Sequence, residues 1–158
     1  MERGMWILEQ HHAHVMRVAA ELLSQRGYDN VRAEDLARAA SVSVGTLYRR
    51  YGDKHRFALA VRDFAEQDLC DVARSTFEGC YRRSKLDFRE AFLAFWGELV
   101  WWAAAQPGLF GFAFLHWHPR ALEERSPGEA AREMVREVLR QGEREGVLAP
   151  GAARAGEG

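Results

Sequence analysis

The fold is decided by residues 34–54, which read Glu-Asp-Leu-Ala-Arg-Ala-Ala-Ser-Val-Ser-Val-Gly-Thr-Leu-Tyr-Arg-Arg-Tyr-Gly-Asp-Lys. Apolar residues recur at the three-to-four-residue spacing of one helix face as far as Ala40, and the same pattern restarts at Val42. The hydroxyl of Ser43 is placed to cap the second pattern. The segment therefore predicts two short helices that meet at an angle around Ser41, the arrangement of a helix-turn-helix DNA reader.

The second predicted helix carries small residues on its first turn, followed by a cluster of phenols and cations. Small residues permit close approach of the backbone to a groove, and phenols mixed with cations are expected where a helix lies on phosphates and base edges. The alternative interpretation is a solvated surface turn. The candidate DNA-binding residues are Arg32, Ser43, Val44, Gly45, Thr46, Tyr48, Arg49, Arg50, Tyr51 and Lys54.

Residues 40–54 are similar to the most recognisable stretch of TetR-family transcriptional regulators, and residues 18–28 resemble that family's first helix with its closing glycine. The resemblance is specific over residues 12–64 and architectural beyond them. It implies an all-α fold, in which an N-terminal three-helix helix-turn-helix DNA-binding domain precedes a helical ligand-binding and dimerisation domain. The phosphate contacts that it implies are those of Thr46, Tyr48, Tyr51 and Lys54. The base contacts that it implies are those of Ser43, Val44, Gly45 and Arg49.

Three positions depart from the family's usual pattern. Ser41 stands where a glycine is frequent in the turn, so either the turn tolerates a side chain or the angle between the helices shifts. Arg32 stands where a capping threonine is usual, which removes a good helix cap and adds a cation that could reach the DNA backbone. Arg50 replaces a common histidine. The last two changes both add fixed positive charge to the reading surface.

Composition and charge agree with a globular protein whose front part suits a polyanion. Apolar residues make up 47% of the 158-residue chain. The net charge of −1 conceals an asymmetry, because residues 1–56 carry nine Arg or Lys and seven Asp or Glu. This bias is modest and does not by itself distinguish a DNA binder from another soluble domain. The ten-residue separation of Cys70 and Cys80 predicts free thiols rather than a disulfide within one straight helix.

Hydrophobic periodicity places the boundaries of the predicted helices, and the resemblance implies a DNA-binding domain over residues 1–53 and a helical regulatory domain over 54–148. The composition of residues 149–158 predicts a flexible tail. The pattern predicts a helix that ends at Arg26, a long helix from Lys54 to about Phe77 with Asp53 as its cap, and an apolar helix over residues 87–105. The last helix is expected to begin at Ser126-Pro127 and to end within residues 142–146. The two further helices that usually form the family's dimer interface are missing, which leaves the mode of dimerisation open.

Ten of the 18 aromatic residues fall between positions 88 and 117. In the family that the chain resembles, the corresponding helices enclose an effector pocket. The hypothesis is that a mostly apolar, aromatic small molecule binds there, with Glu98, Gln106, His116 or His118 as polar contacts. The alternatives are an aromatic core or a hydrophobic dimer surface. The candidate ligand-binding residues are Phe92, Phe95, Trp96, Glu98, Trp102, Phe110, Phe114, His116 and Trp117.

The sequence predicts a sequence-specific DNA-binding regulator, namely a repressor released from its operator by a small effector. The expected partners are a double-stranded DNA operator, an effector and a second copy of the chain, with no membrane and no cofactor, in the cytoplasm. The histidines at positions 11, 12 and 14 lack thiolates or carboxylates at ligand spacing, so no metal site is expected. No catalytic signature is present, so an enzyme is not expected. The rival functions are a helical interaction module that has lost DNA binding and a helical bundle that uses the aromatic cluster for chemistry.

Overall fold

The computed structural model describes residues 2–116 and 128–154, and within those ranges it consists of helices and helical turns without a β-strand. The helices are, in chain order, α1 (Glu2–Gln10), α2 (His12–Arg26), α3 (Ala33–Ala39), α4 (Val44–Tyr51), α5 (Lys54–Glu78), α6 (Phe88–Ala105), α7 (Pro107–Phe110) and α8 (Glu129–Arg144). There are 3-10 turns at Tyr28–Asn30 and Ala152–Arg154, and π-helical turns at Gly79–Arg83 and Gly111–Leu115. The predicted all-α fold class is confirmed.

The chain packs as two compact units. The first comprises Met1–Ala65 with Ala105–Pro127, and the second comprises Glu66–Ala104 with Gly128–Gly158. The first unit therefore holds α1 to α4 together with the start of α5, and it also includes α7. The sequence-based domains, 1–53 for DNA binding, 54–148 for regulation and 149–158 as a tail, are defined by function rather than by packing. This division stays a proposal.

The core of the first unit is built on α2, whose apolar stripe packs behind the helix-turn-helix pair. Val15, Met16 and Leu23 of this helix are almost fully buried, as are Leu36 of α3 and Leu47 of α4. Burial of each such side chain contributes about 1.5–3 kcal/mol. α3 contacts α2, and α4 contacts α3. Val15, Leu23, Leu36 and Leu47 are positions that the periodicity predicted to be apolar, whereas Met16 lies outside the predicted stripe.

Local hydrogen bonds fix the ends of the two short helices. Arg32 has no side-chain acceptor to cap α3, but the Asp35 carboxylate accepts a hydrogen bond from the Arg32 backbone N–H at 3.1 Å. In the turn, Ser41 adopts a left-handed φ of 57°, and the Val42 N–H donates to the Ala37 carbonyl at 2.9 Å. The turn thus tolerates a side chain at Ser41 by placing it in a conformation that glycine adopts more easily.

The second unit has its own core, made where the later part of α5, α6 and α8 meet. Phe77, Phe88, Phe95 and Met134 are buried together in it. The aromatic rings meet edge to face, with the centroids of Phe77 and Phe95 6.1 Å apart. Aromatic pairs in this geometry contribute about 0.5–1.5 kcal/mol beyond the area that they bury.

Most predicted helix boundaries are confirmed. The helix α2 ends at Arg26 before Gly27, α5 runs from Lys54 to Glu78, and α6 ends at Ala105. The predicted cap of α5 is present, since the Asp53 carboxylate accepts a hydrogen bond from the Arg56 N–H at 2.7 Å. The predicted start of the last helix at Ser126-Pro127 lies outside the described residues. Cys70 and Cys80 are free thiols, as predicted.

Two regions differ from the sequence-based expectation. Residues 2–10 form the helix α1, for which the sequence pattern predicted no element. Residues 152–154, predicted as part of a flexible tail, form a 3-10 turn in which Ala153 is buried and donates its N–H to the Glu143 carboxylate at 2.9 Å. The bond from Ala153 to the Glu143 carboxylate and the burial of the Ala153 methyl group connect this turn to α8, and the composition of the segment gave no sign of either.

Candidate nucleic-acid interface

The amino-terminal end of α4 is held by a side-chain cap. The Ser43 hydroxyl accepts a hydrogen bond from the Thr46 N–H at 3.1 Å and lies 2.9 Å from the Thr46 hydroxyl oxygen. The cap was predicted from the sequence and is confirmed. It satisfies one of the free N–H groups at the start of the helix and fixes the direction in which α4 leaves the turn.

The predicted base-reading residues all lie on the accessible side of α4. Ser43, Gly45 and Arg49 are exposed, and Val44 is partly exposed. The opposite side of the helix is buried through Leu47. The helix therefore presents its small first turn and an arginine on one accessible face, which is the geometry that a major groove requires. The base contacts themselves stay a prediction.

Thr46, a predicted phosphate contact, is buried in this structure. Only 6% of its surface is exposed, because α1 packs over it. A Cβ atom at Gly4 of α1 would lie 2.9 Å from the Thr46 Cγ2, so the absence of a side chain at Gly4 is what allows this packing. Its hydroxyl oxygen lies beside that of the capping Ser43, and its phosphate contact stays a prediction.

Tyr51, another predicted phosphate contact, is partly buried. Its hydroxyl oxygen is buried, and its ring packs on Phe57 with the centroids 4.8 Å apart. Burial raises the pKa of the Tyr51 phenol, while the neighbouring Arg50 guanidinium opposes that rise. The ring thus joins α4 to α5 inside the unit, and the phosphate contact of Tyr51 stays a prediction.

Lys54 has an internal partner that the sequence did not reveal. Its ammonium group donates a hydrogen bond to the Tyr28 carbonyl oxygen at 2.6 Å and lies 4.1 Å from the centroid of the Tyr28 ring. Burial lowers the pKa of Lys54, and the nearby Asp29 carboxylate opposes that shift. Lys54 therefore fastens the start of α5 to the turn after α2, and its phosphate contact stays a prediction.

The remaining cations and phenol lie where an incoming strand could meet them. Arg32, Arg49 and Arg50 are exposed, and Tyr48 is partly exposed. Desolvation raises the pKa of Tyr48, and the carboxylates of Glu34 and Asp53 raise it further, so the phenol stays protonated and able to donate a hydrogen bond at neutral pH.

His12 lies in this region and belongs to the histidine group for which no metal site was expected. Its ring meets Phe64 edge to face, with the centroids 5.5 Å apart. Burial lowers the pKa of His12, and the Arg50 guanidinium lowers it further. The imidazole is thus coupled to a cation of the candidate interface.

No cluster of three or more potential metal ligands occurs in the portion of the chain that the structure describes.

The predicted ligand-binding residues fall into two groups that belong to different units. In the second unit, Phe95 and Trp102 are buried, and the Trp102 indole N–H donates to the Asp68 carboxylate at 2.8 Å. Phe92 stacks with Trp96, which is 52% exposed. Glu98 is partly exposed. Phe95 thus belongs to the core of its unit, as the alternative interpretation of the aromatic cluster proposed.

The other predicted ligand-binding residues belong to the first unit. Phe110 and Phe114 are neighbours with their ring centroids 5.6 Å apart, and His116 is exposed. Trp117 and His118 lie outside the described residues. Two half-open clefts, of about 350 and 260 Å³, are lined by residues other than the nine predicted ones. A ligand site at the predicted residues therefore stays a prediction. Within the described ranges, none of the helices is long and apolar enough to cross a membrane.

Comparison with known proteins agrees with this geometry. The family model described as bacterial regulatory proteins of the TetR family matches residues 15–61. No curated protein gave a significant match. The fold is similar to that of the TetR family transcriptional regulator PfmR from Thermus thermophilus, with 22% identity, a TM-score of 0.66 and coverage of 88% of this chain and 75% of that one.

A second similar fold is that of the fatty acid degradation regulator FadR from Bacillus halodurans. Here the identity is 19% and the TM-score 0.73, with coverage of 86% of this chain and 69% of that one. The match to the family model spans α2, α3, α4 and the start of α5, which are the elements that build the candidate interface. The helix-turn-helix unit therefore matches the TetR family of bacterial regulatory proteins, and the fold of the chain is similar to that of regulators of this family.

Proposed function

We propose that this chain is a sequence-specific transcriptional repressor that lays α4 in the major groove of an operator. The observation that carries the proposal is the accessible face of α4, where Ser43, Gly45 and Arg49 are exposed on a helix whose start is fixed by the Ser43 cap. Arginine pairs with guanine edges in the major groove, and the small residues allow the helix to approach closely. Arg32, Arg50 and Tyr48 would then contact the backbone.

A palindromic operator requires two reading heads about one duplex turn apart. We therefore propose that the chain acts as a homodimer. A small apolar effector would release the operator by binding one arrangement of the two heads better than the other, because a ligand shifts an equilibrium only by its differential affinity for the two states. The aromatic residues of α6 supply the apolar surface for such an effector, Trp96 among them.

The proposal is tested by selecting bound sequences from a pool of random duplexes. The wild-type protein is compared with the Arg49→Ala variant and with Arg83→Ala, which removes an exposed arginine of the second unit. We expect a defined operator for the wild type and for Arg83→Ala, and an altered base preference for Arg49→Ala.

If Arg49→Ala lowered the affinity for every DNA sequence by the same factor, base reading by α4 would be contradicted. Absence of any selected sequence would favour the alternative function, a helical interaction module of the same fold that no longer binds DNA.

A further inference from the structure

A half-open cleft of about 350 Å³ lies within the first unit, between the middle of α2 and the turn that joins α6 to α7. It is closed at one end because Gly108 rests directly on α2, where a Cβ at this glycine would lie 2.8 Å from the Glu21 Cα. Its volume is at the lower end of the roughly 300–1,000 Å³ range of small-molecule sites. The cleft is therefore sized for a small ligand.

The wall that α2 contributes carries opposite charges. Arg17 and Glu21 are four residues apart and so project from the same side of the helix. The Nε of Arg17 is buried and finds no hydrogen-bond acceptor among the described residues. The Glu21 carboxylate accepts a hydrogen bond from the Gln25 amide at 3.2 Å. Arg17, which lines the cleft, thus has one N–H donor that no described acceptor satisfies, and an unsatisfied buried donor is costly.

The opposite wall is mixed in character. Gln106 supplies a side-chain amide, whereas Ala105 and Leu109 supply apolar surface. A ligand with one anionic end and a short apolar body would match both walls. Its charged end would meet the arginine, and its body would cover the alanine and leucine.

We propose that this cleft binds a small carboxylate, with the carboxylate oxygens accepting hydrogen bonds from the Arg17 guanidinium. Arginine and carboxylate form charge-assisted, often bidentate, hydrogen bonds. A carboxylate that also carries an ammonium group, as an amino acid does, gains a second contact at Glu21. This site is polar and lies in the unit that holds α4, so it is separate from the aromatic residues proposed for the apolar effector.

The test measures thermal unfolding and amide chemical shifts of the full chain with four probes: benzoate, its neutral analogue benzamide, L-phenylalanine and inorganic phosphate. At about 10 mM, benzoate and L-phenylalanine are expected to raise the Tm, because a ligand of the folded state stabilises it by mass action. Benzamide is expected to leave the Tm unchanged. The Gly108 amide should shift with benzoate. Stabilisation by phosphate alone would show a site for inorganic anions and overturn the proposal.

The Arg17→Gln variant removes the charge and keeps a hydrogen-bonding side chain, and Arg26→Gln is its matched control on the exposed end of α2. We expect Arg17→Gln to weaken benzoate binding by at least about tenfold and Arg26→Gln to leave it unchanged. If the ammonium group contacts Glu21, the Glu21→Gln variant should bind L-phenylalanine more weakly and benzoate as well as the wild type does. If Glu21→Gln binds both probes as the wild type does, the site recognises the carboxylate alone.

Two results would overturn the proposal. The first is that benzoate and benzamide raise the Tm equally, and the second is that the Arg17→Gln variant binds benzoate as tightly as the wild type does. If Arg17→Gln fails to fold, the comparison of benzoate with benzamide on the wild-type protein decides, together with the shift of the Gly108 amide. No stabilisation and no shift with any probe would also overturn it.

Discussion

Ser41 holds the turn between α3 and α4 in a left-handed conformation, with a φ of 57°, although it carries a side chain. A non-glycine residue in this region is strained by about 1–3 kcal/mol relative to relaxed backbone. The serine is exposed, so the side chain gains little from packing in return. The conformation of the turn is therefore imposed by its neighbours α3 and α4.

The strain predicts that Ser41→Gly stabilises the protein by about 1 kcal/mol, after the extra chain entropy of glycine is subtracted. The measurement is urea unfolding. The matched control is Ser75→Gly, which changes an exposed serine inside α5 and should destabilise by about 0.5 kcal/mol. If both variants lowered the free energy of unfolding by the same amount, the strain at Ser41 would be contradicted.

His12 predicts a loss of stability on acidification. Because burial and Arg50 lower the pKa of His12 in the folded protein, the unfolded chain binds the proton more tightly. The unfolding free energy should therefore fall as the pH drops below 6.5, the ordinary pKa of a histidine. Urea unfolding at neutral and mildly acidic pH measures this effect. On acidification, the His12→Gln variant should lose less unfolding free energy than the variant His14→Gln, which changes an exposed histidine as a control. Identical dependence of the unfolding free energy on pH in the two variants would contradict the lowered pKa of His12.

At the scale of elements, local signals in the sequence were sufficient for much of the fold. Gly27 ends α2, Ser43 caps α4 and Asp53 caps α5, and each acts through its own backbone neighbours. What could not be predicted depends on distant packing. The covering of Thr46 by α1 brings together residues 4 and 46, and no local rule gives that contact.

The same reasoning explains which parts of the candidate interface were predictable. The periodicity of α4 shows which residues share a face, but Tyr51 lies near the boundary between the buried and exposed faces. Its hydroxyl turns inward because Phe57 of the next helix supplies an aromatic partner. Likewise, the contact of Lys54 with the Tyr28 carbonyl joins residues 26 positions apart. Residue type alone cannot distinguish a cation that holds the domain together from one that faces DNA.

The packing of α1 on α4 predicts the effect of a single methyl group. Gly4→Ala places a Cβ about 2.9 Å from Thr46 Cγ2, and Thr46 cannot easily move because the Ser43 cap holds it. We expect a loss of about 1–3 kcal/mol in the free energy of urea unfolding. Gly97→Ala in α6 has open space around its Cβ and should gain about 0.5–1 kcal/mol. A gain for Gly4→Ala as well would show that α1 does not cover Thr46.

At the scale of the whole molecule, the effector proposal predicts that DNA release and DNA binding can be separated. Trp96→Ala should weaken release by an apolar effector found in a compound screen, and it should leave DNA affinity without effector unchanged, because the side chain is 52% exposed and not part of the core. Fluorescence anisotropy of a labelled operator measures both quantities. Loss of both together would assign Trp96 to structure rather than to ligand binding.

The central claim, that α4 and its neighbouring cations bind duplex DNA, is tested most directly by the salt dependence of operator affinity. Anisotropy titrations over a series of salt concentrations would compare the wild type with Arg50→Ala and with the remote control Arg83→Ala. We predict that log Kd varies linearly with log salt and that Arg50→Ala alone lowers the slope by about one. A wild-type protein that ignores duplex DNA even at low salt, or equal slopes for all three proteins, would contradict the claim.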